Sequence, residues 1–272
     1  MSTAHSLRYL ANCSMLFTEL AVLERPGAAR AAGFDAIEYW WPWATATPTD
    51  AQVALFVTAV KDAGVQLTGL NFFAGDLAGP DCGVLSLPSR AGEFRDSVDI
   101  AVSIGEQLGV SVFNALYGVR TDNATPAEQD ACARESLTYA TKATAGIDAT
   151  VLIEAVSGPK PYPLRTAADA AAVVRQLRQD GAANIGILLD LFHLASNGDD
   201  VTAAIGRHVS SVAHVQIADA PGRGEPGTGA LPLDVWLAQL QNAGYDGRVG
   251  LEYRPSTGNT LASLAWLPGG TQ

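Results

Sequence analysis

The stretch Ile185–Asp190, Ile-Gly-Ile-Leu-Leu-Asp, is an uninterrupted run of apolar residues and glycine that ends at an acidic residue. Three more short apolar runs in the second half of the chain have the same form and end at Glu154, Gln216 and Glu252. The four polar residues are separated by 36, 26 and 36 residues, roughly the length of a strand, a helix and two loops. We therefore expect each of them at the carboxyl end of its own strand, where parallel neighbouring strands would bring the four side chains together.

Strand-like runs recur along the whole chain at a similar interval. They are predicted at Leu7–Ser14, Ala36–Trp40, Gln66–Phe72, Val110–Leu116, Thr150–Glu154, Ile185–Asp190, Val212–Gln216 and Arg248–Glu252. Amphipathic, alanine-rich helices are predicted between them, at Leu20–Ala32, Thr49–Ala63, Phe94–Leu108, Pro126–Ala145, Ala167–Gln179 and Pro232–Ala243. Glycine follows several of these helices, as at Gly33 and Gly64, because it tolerates the left-handed conformation that ends a helix.

Eight strands that alternate with about eight helices predict a parallel α/β sheet with both faces covered. We expect a closed (β/α)8 TIM barrel formed by residues 1–272 as one domain, because such barrels take about 250 residues. An open doubly wound sheet is the alternative, but it leaves edges and usually has fewer strands. The longest irregular stretches, 73–89, 157–165 and 219–231, follow predicted strands, and in a barrel such loops form the catalytic face.

The composition excludes several classes of protein. With 48% hydrophobic and 17% charged residues, the chain is typical of a protein with a large core. A net charge of −11 argues against nucleic acid as a partner, because an acidic surface repels phosphates. The widely spaced Cys13, Cys82 and Cys132 indicate reduced thiols, and no stretch resembles a signal peptide or a membrane span. We expect a cytoplasmic protein that does not bind membranes; a homo-oligomer is left open.

The four strand-end residues form an unusual set. Three carboxylates in one partly desolvated site would repel and raise one another's pKa values, and a divalent cation removes this conflict. Carboxylate and amide oxygens without a thiolate favour Mg²⁺ or Mn²⁺ over Zn²⁺. Any one of these residues, taken alone, is better explained as a hydrogen-bonded loop residue. Polar residues also end four strands of the first half: Asn12, Glu38, Asn71 and Asn114.

Several segments carry a family resemblance that runs in order from about Tyr9 to Leu267. They are Ser14–Glu19, Phe72–Asp76, Leu152–Glu154, Asp190–His193, His214–Asp219, Pro221–Arg223, Glu225–Gly229, Gly244–Gly247 and Glu252–Tyr253. Together they resemble the hydroxypyruvate isomerase family, which belongs to the xylose isomerase-like barrels.

The resemblance implies roles for the four strand-end residues and for residues around them. It implies that Glu154, Asp190, Gln216 and Glu252 bind the divalent metal and that Glu154 and Glu252 are also the catalytic acid/base pair. His193 and Arg223 are similar to substrate-contacting residues of related isomerases and epimerases, and Asn71 joins them as a predicted substrate-binding residue. The implied substrate is a small hydroxycarbonyl or sugar. The implied reaction is enediolate isomerisation, with hydroxypyruvate converted to tartronate semialdehyde as the expected case.

Three positions depart from the family pattern, and they concern the substrate more than the metal. The family commonly has Asn, His and Glu where this chain has Ser157, Gly224 and Ala230. A ketose 3-epimerase or another sugar or 2-oxo acid isomerase is therefore an alternative. A non-catalytic sugar-binding barrel is the alternative of another class, which the paired glutamates disfavour, since binding alone needs no acid/base pair.

Two further enzyme classes fit the sequence poorly. A retaining glycosidase of the large barrel clan needs carboxylates after strands 4 and 7, where this chain has Leu116 and Gln216. An endonuclease of the related barrels needs several metal-binding histidines and a basic groove, whereas this chain has four histidines in total and a charge of −11. The segment Gly222–Gly227 matches GxGxxG, but no helix opens there, so we interpret it as a substrate loop.

Single residues also have simpler interpretations. His193 is either a substrate contact or the cap of a strand-end network, and His214 is expected in the core or behind the ligands. Arg223 either contacts substrate or pairs with Glu225 or Asp219 as a solvated loop charge. The tryptophans that follow the second strand either form a wall of the pocket or pack at the barrel rim: Trp40, Trp41 and Trp43.

Overall fold

A computed structural model describes residues 5–158 and 160–267 of the chain. Its strands, numbered in chain order, are β1 Tyr9–Asn12, β2 Ala36–Tyr39, β3 Gln66–Asn71, β4 Val112–Asn114, β5 Thr150–Glu154, β6 Ile185–Asp190, β7 Val212–Ile217 and β8 Val249–Leu251. Its α-helices are α1 Arg25–Ala31, α2 Asp50–Ala63, α3 Ala91–Leu108, α4 Pro126–Ala145, α5 Ala167–Gln179, α6 Leu191–Ser196, α7 Val201–His208, α8 Leu233–Asn242 and α9 Thr260–Ser263. Short 3₁₀ helices lie at Pro88–Arg90 and Val209–Ser211.

The eight strands form a closed parallel barrel in the order β1 to β8, with β8 paired to β1. The predicted (β/α)8 fold is therefore confirmed, and the open-sheet alternative is wrong. Because all strands run the same way, their carboxyl ends meet at one rim. The register there is direct, since Asp190 pairs with Gln216 and Gln216 pairs with Gly250. The prediction of a single domain over 1–272 includes residues that lie outside the described ranges.

Local signals explain where the long helices begin and end. Thr49, Thr125 and Thr166 each accept a hydrogen bond from the backbone three residues on, and the side chain at that position bonds back. These capping boxes satisfy amide groups that the first helical turn leaves free. At the other end, Gly64 and Gly109 adopt left-handed conformations after α2 and α3, as predicted from glycine placement.

The predicted elements differ from the observed ones mainly where the elements are short. Helix α1 begins at Arg25 instead of Leu20, with Pro26 in its first turn, because turns occupy the preceding segment. Helices α6, α7 and α9 were not predicted, since they span only 6, 8 and 4 residues and show little periodicity. Strand β4 has only 3 residues, Val112–Asn114, instead of the predicted Val110–Leu116.

The core lies inside the barrel and between the strands and the helices. Aromatic residues fill part of the outer layer, where the ring of Phe72 stacks on Phe113 and meets Phe94 edge-on. Burial of such rings is among the largest apolar contributions to the free energy of folding. No helix among the described residues is long and apolar enough to cross a membrane.

Candidate active site

The structure brings the four strand-end residues to the same rim of the barrel. Glu154 and Asp190 are the last residues of β5 and β6, Gln216 is the penultimate residue of β7, and Glu252 directly follows β8. All four are buried, with no more than 4% of any one exposed. The predicted convergence is therefore observed, although the ligand roles remain a prediction.

Burial and mutual repulsion shape the charges of this cluster. Burial raises the pKa of Glu154 well above its usual value, and the nearby charges of Glu252 and Asp190 raise it further. Burial also raises the pKa values of Asp190 and Glu252, although Arg223 opposes both shifts. Three buried carboxyl groups with raised pKa values are typical of a functional site, because the fold does not neutralise them fully.

Helix α6 holds Asp190 and His193 in fixed positions. The Oδ1 atom of Asp190 accepts hydrogen bonds from the amides of Phe192 at 2.8 Å and His193 at 3.1 Å, so Asp190 caps the helix. The Nε2 atom of His193 lies 3.6 Å from Oδ2 of Asp190 and 3.8 Å from Oε1 of Glu154. Burial, followed by the charge of Arg223, lowers the pKa of His193 to about 3, so the imidazole is neutral at physiological pH.

Arg223 reaches into the site from the β7–α8 loop. Its guanidinium donates to Oε2 of Glu252, lies 3.8 Å from Oδ2 of Asp190, and covers the ring of Phe192 at 5.3 Å. The alternative of a solvated loop charge paired with Glu225 or Asp219 is wrong.

Glu225 and Asp219 have hydrogen-bond partners other than Arg223. Glu225 accepts hydrogen bonds from Ser256, and Asp219 accepts from the amides of Gly227 and Gly229. This places Gly222–Gly227 in a loop that carries Arg223, in line with the interpretation as a substrate loop instead of a dinucleotide site.

Hydrogen bonds from the first half of the chain orient the two glutamates. Trp40 Nε1 donates to Oε1 of Glu252 at 2.6 Å, and Asn12 Nδ2 reaches the same oxygen at 3.3 Å. Asn114 Nδ2 donates to Oε2 of Glu154 at 2.8 Å. These roles of Asn12 and Asn114 are not among the predicted ones, although both residues end strands in the same way as the glutamates. Of the two positions predicted for the tryptophans, a pocket wall or packing at the barrel rim, Trp40 occupies the pocket wall.

The donor set fits a hard divalent cation. Among the described residues, no hydrogen-bond donor reaches Oδ2 of Asp190 or Oε1 of Gln216, although both atoms are buried. Buried oxygens without a donor are costly unless a cation or water satisfies them. Oxygens of Glu154 and Asp190 and a ring nitrogen of His193 lie within 4.8 Å of one another, so geometry alone would also admit His193.

The protonation of His193 argues for the oxygen ligands instead. Its Nδ1 atom accepts a 3.0 Å hydrogen bond from the backbone amide of Ser157 and lies 2.7 Å from the Ser157 hydroxyl. Because a backbone amide only donates, Nδ1 carries no proton and the neutral ring is protonated at Nε2. The nitrogen that faces the carboxylates is thus a donor, and the predicted ligand set of Glu154, Asp190, Gln216 and Glu252 is the better fit.

A cavity of about 420 Å³ opens over the cluster. Asn71 lines it with Trp40, Ser157 and Lys160, together with His193, Arg223 and the two glutamates. All three predicted substrate-binding residues therefore face one cavity. A larger surface groove of about 570 Å³ lies between α4 and α5, and it contains none of these residues.

Comparison with known proteins agrees with this architecture. The family model described as "Xylose isomerase-like TIM barrel" matches residues 26–269. The chain is 48% identical over 270 residues to a putative hydroxypyruvate isomerase of Streptomyces coelicolor, covering 97% of both proteins. It is 33% identical over 263 residues to a 2-oxo-tetronate isomerase of Cupriavidus necator, covering 96% of this chain and 97% of the relative.

A solved structure has the same fold. A crystal structure described as "AP endonuclease, family 2 from Brucella melitensis" superposes with a TM-score of 0.85 at 30% identity, and covers 96% of this chain and 97% of that chain. The names of the two relatives above confirm, at the level of the family, the prediction of an isomerase of the intramolecular oxidoreductase type. The family model matches most of the chain and the relatives extend over nearly its whole length, so the chain belongs to the hydroxypyruvate isomerase family of xylose isomerase-like TIM barrels.

Proposed function

We propose that this protein is a metal-dependent isomerase that interconverts a small α-hydroxycarbonyl acid through an enediolate, with hydroxypyruvate and tartronate semialdehyde as the favoured pair. The observation that carries the proposal is the placement of Glu154 and Glu252, two buried carboxyl groups with raised pKa values, in one cavity with unsatisfied oxygens beside them. Paired carboxyl groups of this kind suit proton removal and return near neutral pH.

The proton balance of this reaction needs two acid/base events. One carboxylate removes a proton from C3 of hydroxypyruvate, and a proton is delivered to C2 on the way to tartronate semialdehyde. A second proton moves between the two oxygens, so no electron acceptor is required. Glu154, held by Asn114, and Glu252, held by Trp40 and Asn12, are assigned these transfers.

Each remaining group has one task in this scheme. His193 donates its Nε2 proton as a hydrogen bond to a substrate oxygen, and Arg223 binds the substrate carboxylate. Glu154, Asp190, Gln216 and Glu252 would hold Mg²⁺ or Mn²⁺. Such a cation would stabilise the negative charge that develops on the two substrate oxygens.

The choice of substrate follows from charge. Arg223 is a partly buried cation beside the carboxylates, which favours a substrate that carries its own carboxylate over a neutral sugar. The names of the relatives, hydroxypyruvate isomerase and 2-oxo-tetronate isomerase, both describe small 2-oxo acids. The endonuclease description of one structural relative is not favoured for this chain, because its net charge is −11 and DNA binding needs a basic surface.

The test is hydrogen exchange with solvent, followed by proton NMR in D₂O. With Mn²⁺ or Mg²⁺ present, we expect deuterium to enter hydroxypyruvate at C3 and the aldehyde of tartronate semialdehyde to appear. Substrates for comparison are 2-oxo-tetronate and a neutral ketohexose, and the Glu154→Gln variant is the control for non-enzymatic exchange. Exchange with the ketohexose but with neither 2-oxo acid would overturn the proposal in favour of a sugar 3-epimerase.

A further inference from the structure

A buried carboxylate lies directly behind the metal-site residues. Glu38, at the carboxyl end of β2, is 3% exposed. One of its oxygens, Oε1, accepts hydrogen bonds from Gln216 Nε2 at 2.7 Å and Asn12 Nδ2 at 3.0 Å. The other, Oε2, lies 2.6 Å from Nε2 of His214. None of the acid/base steps assigned above uses Glu38.

Two side-chain amides turn their NH₂ groups toward one oxygen of the buried Glu38 carboxyl group. A carboxylate oxygen accepts hydrogen bonds and does not donate them. The groups that face it must therefore present donors, which determines the orientation of any amide beside it.

That orientation matters for Gln216. A glutamine amide has an oxygen on one side and an NH₂ group on the other, and only the oxygen binds a metal cation. The NH₂ group of Gln216 points to Oε1 of Glu38 and, at 3.3 Å, to Oε1 of Glu252. The remaining atom is Oε1 of Gln216, which is buried and has no donor among the described residues.

The barrel interior leaves space for this carboxylate at two glycines. A Cβ atom on Gly250 would lie 2.5 Å from Oε1 of Glu38 and 3.0 Å from Cγ of Gln216. A Cβ atom on Gly69 would lie 3.2 Å from Cβ of Glu38. Gly69 is the register partner of Glu38, at the point where the pairing of β2 and β3 shifts, and such irregularities redirect a side chain.

The geometry points to Glu38 as a positioning residue of the metal site, whose carboxylate orients the Gln216 amide so that its oxygen is available to the cation. Glu38 itself contacts neither the cation nor the substrate. The inference rests on the metal site of the proposed function, but not on the identity of the substrate. Partners that orient a metal ligand typically change metal affinity 10- to 100-fold when they are lost.

The test measures Mn²⁺ affinity by isothermal titration calorimetry, without substrate. Glu38→Met keeps the length of the side chain but removes the acceptor, so we expect affinity to fall about 10- to 100-fold. Glu38→Gln retains an acceptor oxygen for Gln216. Its Mn²⁺ affinity should stay within about threefold of the wild-type affinity, a smaller change than the loss expected when the acceptor is removed.

A second substitution separates orientation from general damage. The two oxygens of a carboxylate are equivalent, so Gln216→Glu needs no orienting partner. We expect it to restore most of the Mn²⁺ affinity of Glu38→Met. In the native background the same Gln216→Glu change faces the Glu38 carboxylate and should weaken Mn²⁺ binding. This single variant tests the inference even if Glu38→Met does not fold.

Asn184→Leu is the control for lost stability. It removes hydrogen bonds to Thr141, Thr144 and Ala149 just before β6 begins, at the end of the barrel away from the site, and should leave Mn²⁺ affinity unchanged. Tighter Mn²⁺ binding by Gln216→Glu alone, or wild-type affinity in a folded Glu38→Met, would overturn the role of Glu38. A wild-type protein that binds no Mn²⁺ would instead overturn the metal site of the proposed function.

Discussion

The backbone amide of Ser157 donates a 3.0 Å hydrogen bond to Nδ1 of His193. Because this donor belongs to the main chain, it fixes the neutral imidazole as the form protonated at Nε2. That proton faces the cavity between Glu154 and Asp190. Ser157 is one of the three positions that depart from the family pattern, and its amide makes this contact whatever its side chain is.

The first prediction concerns His193 as a donor and not a metal ligand. His193→Asn removes the Nε2–H group, and loss of one such donor lowers kcat about 10²- to 10³-fold. His193→Gln extends an amide NH₂ toward the Nε2 position and should retain more activity. Mn²⁺ affinity, measured by calorimetry, should be nearly unchanged in both variants, with His208→Asn on α7 as a surface control. A large loss of Mn²⁺ affinity in His193→Gln would show that the ring binds the metal.

The second prediction concerns the two glutamates. Glu154→Gln and Glu252→Gln should each lower kcat for hydroxypyruvate about 10²- to 10⁴-fold, because general acid–base catalysis contributes that much. Each variant should also lose Mn²⁺ affinity, since each residue is a predicted ligand. Steady-state kinetics at saturating Mn²⁺ separates the two effects. Glu225→Gln, a similar change in a nearby loop, should retain kcat, and near-native turnover in either site variant would contradict the two-glutamate scheme.

The third prediction separates acid substrates from neutral ones. Arg223→Met removes the cation that lies beside Glu252 and Asp190. For hydroxypyruvate we expect kcat/KM to fall at least tenfold, because a charge-assisted hydrogen bond contributes about 1.5–3 kcal/mol. A neutral ketose lacks the carboxylate and should be affected less. Equal losses for both substrates would mean that Arg223 acts on the glutamates and not on the substrate.

The sequence predicts the rim of the second half of the barrel better than the residues behind it. Four residues could be located because an apolar run ends at each of them and the last residue of a parallel barrel strand lies at the rim: Glu154, Asp190, Gln216 and Glu252. The same pattern places Asn12, Glu38 and Asn114 at strand ends of the first half, but it does not predict which side chains of the second half they bond to.

Contacts between distant segments could not be predicted at all. The hydrogen bond from Trp40 to Glu252 joins residues 212 positions apart, and the contact of Arg223 with the cluster depends on the path of its loop. The short helix α6 was also not predicted. Asp190 is both the last residue of β6 and the N-cap of α6, so no loop separates the strand from the helix. These features depend on tertiary geometry, which local periodicity does not report.

The fourth prediction is a pH dependence of stability. Glu225 accepts hydrogen bonds from the Ser256 hydroxyl at 2.6 Å and the Ser256 amide at 2.9 Å. Burial raises the pKa of Glu225, but these bonds outweigh it and hold the pKa below its usual value. The stabilisation is therefore present above the unfolded-state pKa of about 4.3 and is lost as pH falls through the folded-state pKa.

Ser256→Ala removes one of these donors and brings the folded-state pKa closer to the unfolded one. The variant should have a lower Tm near neutral pH. It should also lose less further stability than the wild type when the pH falls from about 6 to about 3.5. Thermal unfolding followed by circular dichroism measures both values. Parallel Tm profiles for the two proteins would exclude a contribution of this bond to acid sensitivity.

The fifth prediction concerns the space that Gly250 leaves in the barrel. A methyl group there would lie 2.5 Å from Glu38 Oε1 and 3.0 Å from Gln216 Cγ, and both of these side chains are buried. Overpacking of this kind costs about 1–3 kcal/mol, so Gly250→Ala should lower the free energy of unfolding by that amount. Gly206→Ala makes the same change in the exposed part of α7, where nothing lies within 4 Å of the new methyl group, and should stabilise the protein by about 0.5–1 kcal/mol. Because the methyl group displaces both partners of the Glu38–Gln216 hydrogen bond, Gly250→Ala should also weaken Mn²⁺ binding, whereas Gly206→Ala should not.

Chemical denaturation measures the stability of the two variants, and calorimetry measures their Mn²⁺ affinity. Equal stability of both variants would contradict the close packing of Glu38 against β8.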